Sequence, residues 1–403
     1  MAIDLWVVIR REWLMNSGRP LFAQVMEYLP HHEFRKCISR YGGDRRVKKF
    51  TCMDQFLAMS FAQLTYRESL RDIEICLQAN RSRLYHMGLR CVPHRSTLAD
   101  ANEDRDWRIY ADLAQVLIQT AKRLYRHTDI GLTLEGEIYA LDSTTIDLCL
   151  SLFPWADFRQ NKAAVKAHTL LNVRGDIPEF IHVSDGKLHD VNILDILLIQ
   201  AGSYYVMDRG YVDFGRLYGI DKAHATFVTR AKRNMQFQRR YSRDVDRSTG
   251  LRSDQTVILT GVQTSKDYPD PLRRVSYWDP ETDKRFVFIT NSFSLPALAV
   301  TQLYKLRWRV ELFFKWIKQH LRIKVFYGTS ANAVKTQLWI AICTYLLVAI
   351  LKKELDLPHS LYAILQFLSV SIFEKTPILQ AFSSELYMND AIHDHNQLLL
   401  FNL

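Results

Sequence analysis

Two aspartates close short apolar runs, Glu137-Ile138-Tyr139-Ala140-Leu141-Asp142 and Tyr204-Tyr205-Val206-Met207-Asp208. Both runs read as strands, the second punctuated by Arg209-Gly210. Neighbouring strands would carry the two carboxylates to one edge of a sheet, where oxygen ligands suit Mg2+ or Mn2+. Asp at a strand end is also ordinary turn chemistry, so the pair alone leaves both readings open.

A second concentration of chemistry lies between Tyr304 and Lys318. One helix turning roughly 100° per residue would set Tyr304, Arg307, Glu311 and Lys318 within roughly 60° of one another. Its face would hold an aromatic ring, a guanidinium, a carboxylate and an ammonium. Seven Lys/Arg and a single acid, Glu311, fall between Leu303 and Lys324. A lone carboxylate among cations is expected to be held by something positive. The alternative is a solvated amphipathic helix with i,i+4 pairs such as Glu311–Lys315.

Other polar groups carry plainer expectations. His182, Asp185, His189 and Asp190 surround a turn and are expected to serve strand ends and helix caps rather than a metal. Lys162, Lys166 and His168 are candidates for lining a channel for an anionic partner, while Trp155, Trp308 and Trp316 read as core or platform residues. Asp147, five residues after Asp142, falls on the opposite face of a strand. The chain contains no P-loop, no GxGxxG opening a helix and no GxSxG elbow. Nucleotide-driven and serine chemistry are therefore not supported.

The elements that must position these residues come in two styles. From Leu21 to Leu124 the apolar spacing is helical, with basic turns at Arg45-Arg46-Val47-Lys48-Lys49, Arg81-Ser82-Arg83 and His94-Arg95. Near Glu135 the period changes to strands: Glu137–Asp142, His168–Val173, Glu179–Val183, Tyr204–Asp208 and Thr226–Arg230, with a helix expected over Asn192–Gln200. This order predicts helices on a mixed sheet. Residues 231–284 are polar and basic with β-like runs at Thr256–Leu259 and Arg274–Trp278, Phe286–Thr290 returns to strand, and helices run from about Pro296 onward.

Composition bounds the class. The 403 residues carry 53 Lys+Arg against 43 Asp+Glu, a net charge of +10 that favours a polyanionic partner. With 48% hydrophobic and 24% charged residues, intrinsic disorder, collagen and a small disulfide scaffold are excluded. The six cysteines include no CxxC pair and no zinc spacing, which suits a reducing, cytosolic setting. The most apolar stretch, Leu338–Leu351, is 14 residues long, short of the about 20 needed to span a bilayer, and reads as a buried core helix. Residues 1–14 fit poorly with the helical pattern that begins at Leu21 and read as a start-site extension, with no signal peptide.

The ordered motifs resemble those of the DDE transposases of bacterial insertion sequences, in the insertion sequence four family. That family's Y-x2-R-x3-E-x6-K signature is matched by Tyr304, Arg307, Glu311 and Lys318. Its two acidic motifs resemble Ala140-Leu141-Asp142-Ser143-Thr144-Thr145 and Val206-Met207-Asp208-Arg209-Gly210-Tyr211, the latter followed by Phe227-Val228-Thr229-Arg230. The resemblance spans roughly residues 18–350.

It implies an α/β fold: a ribonuclease-H-like catalytic core over 131–350 with a β-rich insertion at about 231–285. A helical N-terminal DNA-binding domain (15–130) would precede the core, and a C-terminal helical region (351–403) would follow. Asp142, Asp208 and Glu311 would be catalytic and hold two ions of Mg2+ or Mn2+. One ion would activate a water or a DNA 3′-hydroxyl, and the other would stabilise the leaving oxygen. Tyr304, Arg307, Lys315 and Lys318, with Arg230, Lys232 and Arg233 of the basic loop, would contact DNA. Trp278 or Phe286 would hold a flipped base if cleavage ran through a hairpin.

The implied activity is binding of the terminal inverted repeats, cleavage and strand transfer. The partners would be double-stranded DNA (element ends and target) and a second copy of the chain, without a nucleotide cofactor or a membrane, in the bacterial cytoplasm at the nucleoid. The alternatives are a catalytically silent regulator at element ends and a metal-dependent nuclease without strand transfer.

Overall fold

The computed structural model describes residues 18–148, 151–159, 162–320 and 326–383. The start-site extension at 1–14, Cys149 and the last twenty residues of the C-terminal region lie outside the described residues. In chain order come α1 (Leu21–Met26), α2 (His31–Arg40), α3 (Cys52–Leu64), α4 (Leu70–Ala79), α5 (Arg95–Asp104) and α6 (Arg108–Tyr125). Next are β1 (Ile138–Leu148), β2 (Asp157–Arg159), β3 (Lys162–Asn172), β4 (Ile177–Asp185), β5 (Tyr204–Met207), α7 (Phe214–Lys222) and β6 (Thr226–Arg230). Then come β7 (Phe237–Arg243), β8 (Leu251–Leu259), α8 (Thr264–Asp267), β9 (Leu272–Asp279) and β10 (Lys284–Thr290). The remainder is α9 (Ala297–Lys305), α10 (Trp308–His320), α11 (Ala331–Glu354), α12 (Leu361–Ser371) and α13 (Ile378–Ser383).

The chain divides into two compact units. The first gathers the described residues of Met1–Arg126, Asp147–Ala156 and Lys315–Asp394. Four of its helices start where short polar side chains satisfy the free N–H groups: a Thr51/Asp54 capping box opens α3, and Ser69, Ser330 and Ser360 cap α4, α11 and α12. α11 is apolar on every side, which forces it inside. It is buried from Thr336 to Leu351, with Tyr125 of α6 donating to the Ala349 carbonyl and Thr344 meeting Ser60 of α3. The Leu338–Leu351 run is thus the core of the helical unit. The boundary expected at residue 350 falls inside this helix, which packs with the N-terminal helices because it needs apolar cover all round. The basic clusters at Arg45–Lys49 and Arg81–Arg83 sit in the connections, with the cationic side chains exposed.

The second unit comprises the described residues of His127–Ile146 and Asp157–Phe314. It is built on a ten-stranded sheet in the order β2-β3-β1-β5-β6-β10-β9-β8-β7, with β4 also pairing β3. β1, β5 and β6 are parallel, and the remaining described pairings, from β10 outward and at β2, β3 and β4, are antiparallel. The region expected as an insertion is a meander that continues the same sheet, joined to it where Phe288 of β10 pairs Arg230 of β6.

Side chains alternate across a sheet, and this fixes which residues share a face. Tyr139 and Leu141 of β1, Tyr205 and Met207 of β5, Phe227 of β6 and Ile289 of β10 are buried in one cluster with Leu217 and Ile220 of α7. Asp142, Arg230 and Phe288 are one residue out of phase and face the other side, where Tyr304 of α9 packs on Phe288 with ring centroids 4.8 Å apart. A one-residue slip of β1 against β5 would turn Tyr139 and Leu141 out of this cluster and cost about 3–6 kcal/mol. The apolar face therefore sets the register of the acidic one.

Two expected elements differ. Asn192–Gln200 is not an α-helix; a 3-10 segment, Asp190–Asp195, is followed by irregular chain. Its Asp and Asn side chains compete with the backbone, and Gln200 N–H is already committed to the Tyr205 hydroxyl at 2.9 Å. Asp142 does not end its strand either, since β1 runs on to Leu148.

Candidate active site

The β1–β5 ladder has Leu141↔Met207 as its last parallel rung, so Asp142 and Asp208 leave it side by side. The third acid arrives from the α9–α10 junction. Leu306, Arg307, Arg309 and Val310 each donate their N–H to the carbonyl three residues back at 3.0–3.2 Å. This is the tightened 3-10 pattern. The single helix expected over Tyr304–Lys318 is therefore broken between Lys305 and Trp308. Tyr304 lies in the last turn of α9, Arg307 occupies the junction and Glu311 lies in the first turn of α10. Arg309 anchors α10 to Asp176 of the β3–β4 turn at 2.6 Å.

Arg307 holds this junction against the sheet. One guanidinium nitrogen donates to Asp142 Oδ2 at 2.8 Å and another pairs with Glu311. Tyr304 donates its hydroxyl to Asp208 Oδ1 at 3.3 Å, and Arg230 Nη2 lies 3.3 Å from the same oxygen. Asp142, Asp208, Glu311, Tyr304, Arg307 and Arg230 are thus brought together. Glu311 turns back to Arg307 one turn earlier.

Burial dominates the electrostatics. It pushes Asp142 up to about 6, with Arg307 opposing the rise and Glu311 and Asp208 adding to it. It also pushes the Tyr304 hydroxyl up to about 12. Burial disfavours the Arg307 charge too, but Tyr304, Glu311 and Asp142 outweigh it and hold the guanidinium above its ordinary value. Carboxylates this poorly hydrated require cations, and here a guanidinium supplies the charge.

The remaining candidates divide. Arg230, Lys232 and Arg233 line a cleft of about 600 Å3 together with Arg209, Arg274, Lys284 and Arg285, Asp283 being the acid on its wall. Phe286 also borders this cleft but is 6% exposed and stacks on Phe288, extending the aromatic row that ends at Tyr304. Trp278 pairs with Arg285 and so lies on the Ile289 side of the sheet, away from Tyr304. Lys315 is exposed and Lys318 half-buried farther along α10. The side chains of Lys162 and Trp316 lie outside the described residues. Lys166 and His168 do not line an open channel: Lys166 is bound to the Leu188 carbonyl, and His168 is fully buried.

Sequence reasoning passed over the groups beneath Asp142. Ser143 donates its N–H to Asp142 and its hydroxyl to Asp190, which also receives Lys166. Ser143 lies 47 residues from Asp190 in sequence, and nothing in the local pattern announces the contact.

Residues 133–347, more than half of the chain, match the family described as Transposase DDE domain. The chain belongs to the DDE transposases. Residues 17–90 match a second family, described only as a domain of unknown function. Among relatives, y4zB of Sinorhizobium fredii, named as a transposase, is 34% identical over 262 residues, 64% of this chain and 71% of that one. A Geobacillus stearothermophilus protein named as a transposase for insertion sequence element IS5377 is 28% identical over 63% of this chain and 66% of that one. The solved piggyBac transposase synaptic complex with hairpin DNA aligns at a TM-score of 0.46 and 12% identity, over 94% of this chain and 85% of that one.

Transposases of this family bind and cleave DNA and use divalent metal ions. The donor set of this transposase fits such an ion in chemistry: three carboxylates, two of them already gathered by one cation. Among the described residues no three acidic, histidine or cysteine groups stand at metal-holding separation. Arg307 lies between two of the acids, and ion binding would require it to yield.

Proposed function

We propose that this transposase cuts the ends of its own insertion sequence and joins them to target DNA, using Asp142, Asp208 and Glu311 as metal-binding catalytic carboxylates. The observation that carries this reading is the Arg307 guanidinium shared by Asp142 and Glu311 at the rim where the parallel ladder releases Asp208. Three acids from separate elements would not be gathered there for stability, since burial, with Glu311 and Asp208 adding to it, already raises Asp142.

The fold around them is a ribonuclease-H-like core whose meander carries the basic cleft. Two ions, Mg2+ or Mn2+, would be held by the three carboxylates and would supply the charge that activates a water or 3′-hydroxyl and stabilises the leaving oxygen. Asp142 and Asp208 would hold the ions from the sheet, and Glu311 would complete the donor set from α10. Arg307, once released from the acids, grips a phosphate, as do Lys315, Lys318 and the cleft residues Arg230, Lys232 and Arg233. Tyr304 orients Asp208 and borders the same strand. The helical unit, with its exposed basic turns, binds the terminal repeats. The working form is a dimer acting in the bacterial cytoplasm at the nucleoid, because two element ends are handled together.

The test is cleavage and strand transfer on a duplex carrying the element's end, with Mg2+ or Mn2+, comparing wild type with Glu311→Gln. Metal-dependent nicking at the element boundary and joined products are expected, with a loss of at least about 10^3-fold in the variant. Cutting without joining would replace the reading with a nuclease. Specific binding with no cutting in either ion would leave an end-binding regulator.

A further inference from the structure

Asp142 is held from two sides. Its Oδ2 takes Arg307, and its Oδ1 takes the backbone N–H of Ser143 at 2.8 Å. β5 gives this stretch no support, because its last rung on β1 is Leu141. β1 still has β3 along its other edge, and in addition a side-chain bond ties down Ser143 itself. The Ser143 hydroxyl donates to Asp190 Oδ1 at 2.7 Å, and the Lys166 ammonium reaches the same oxygen at 3.2 Å. Lys166 is itself anchored to the Leu188 carbonyl at 3.0 Å, with its side chain 14% exposed.

The plain role for Asp190 is to start the 3-10 segment Asp190–Asp195. The residue preceding that segment is His189, and no side chain caps it. The Asp190 carboxylate is instead turned toward β1 and β3. It carries a charge, neutralised by Lys166, into contact with the residue next to Asp142. The carboxylate thus ties the ion pair to the residue whose N–H is bonded to Asp142.

We infer that Asp190 is a positioning residue for the reaction: with Lys166 it clamps Ser143, whose backbone N–H aims the Asp142 carboxylate for a divalent cation. The inference rests on the proposed metal-binding role of Asp142. Outer hydrogen bonds of this kind fix a ligand's orientation, and their loss typically lowers metal affinity 10- to 100-fold. With Oδ1 engaged by Ser143, Oδ2 is the oxygen presented toward Glu311, where Arg307 now bridges the two.

The experiment measures Mn2+ affinity by electron paramagnetic resonance on the full chain without DNA. Binding of the element end is measured separately, with kcat and KM for cleavage. Ser143→Ala and Asp190→Ala are each expected to weaken Mn2+ binding about tenfold. Both should lower kcat while leaving KM and the affinity for DNA unchanged. The double variant should be no worse than either single one, because both act through one hydroxyl bond. Ser143→Thr, which keeps the hydroxyl, should restore binding.

Ser143→Ala leaves Asp190 and Lys166 paired and serves if Asp190→Ala fails to fold. Asp208→Asn, which removes a proposed ligand, is the reference for lost binding. If Asp208→Asn loses Mn2+ while Ser143→Ala binds it and turns over like wild type, the clamp is overturned and the metal site stands. Additive losses in the double variant would also overturn the clamp. If wild type binds no Mn2+, the metal-site reading fails and the clamp with it.

Discussion

Replacing Arg307 by Met removes the cation that the acids now share, whose guanidinium carbon lies 5.8 Å from the Tyr304 ring centroid, and keeps an apolar stem. Breaking a buried ion pair by deleting one partner typically costs about 3–5 kcal/mol. The Arg307 and Asp142 side chains are 17% and 20% exposed, so the pair belongs near that class. A second limit is tighter. Asp142 already sits at about 6 with Arg307 present, and without it the carboxyl can take up a proton. At pH 7.5 that escape costs about 2 kcal/mol, at 1.36 kcal/mol for each pH unit above 6. Protonation therefore caps the Asp142 share of the loss at about 2 kcal/mol, which for a unit of this size lowers the unfolding midpoint by about 4–8 °C.

The assay is scanning calorimetry at pH 7.5 in EDTA and in Mn2+. In EDTA Arg307→Met should melt below wild type, and lowering the pH to 5.5 should shrink the gap, since Asp142 is then protonated in both. Mn2+ should close the gap as well, because a dication replaces the missing charge. Equal midpoints in EDTA, or a gap that Mn2+ widens, would refute the idea that the guanidinium stands in for a metal ion.

Buried polar groups in the sheet unit carry two further expectations. His168 is fully buried, and burial lowers it to about 4, with Asp190 opposing and Lys166 and His182 adding to the shift. A depressed histidine gives stability that is full above its unfolded value and lost as pH falls, here between about 6.5 and 4, by up to about 3 kcal/mol. His168→Gln should flatten the dependence of the unfolding midpoint on pH over that window; an unchanged slope would show that His168 takes up its proton alike in the folded and unfolded chain. Arg273 makes two 2.8 Å bonds to Asp254, both side chains at most 5% exposed, and also donates to the Ser292 and Leu295 carbonyls ahead of α9. Asp254→Ala should therefore destabilise the unit by about 3–5 kcal/mol in chemical denaturation, and a loss under about 1 kcal/mol would mean that the pair is dispensable.

The acids on the sheet were legible because each follows an apolar run whose burial fixes its register. Leu141 and Met207 announce a strand, and the next residue of each run falls on the opposite face for a reason that needs no third dimension. The break before Trp308 was not legible. Leu303, Val310, Phe313 and Phe314 keep a helical apolar spacing through it, whereas Arg307 at the break bonds to Asp142, 165 residues away in sequence. The meander's attachment was hidden for a similar reason, since Phe288 meets Arg230 only across β7, β8 and β9. Asp190 reads locally as a cap because capping is common and short-range, whereas its actual partner lies on another strand.

The same alternation that buries Leu141 and Met207 explains why a destabilising acidic site is tolerated at all. Each apolar side chain on the α7 face contributes about 1.5–3 kcal/mol. The cluster of nineteen buried residues there far outweighs the few kcal/mol lost to a raised Asp142 and its crowded neighbours. The sheet can therefore hold Asp142 and Asp208 in register without any help from the acids themselves, whereas Glu311 comes from a helix whose seat depends on Arg307 and Arg309. If metal or DNA draws Arg307 away, Glu311 is the acid free to move, and Asp142 and Asp208 are the fixed reference against which it must be placed.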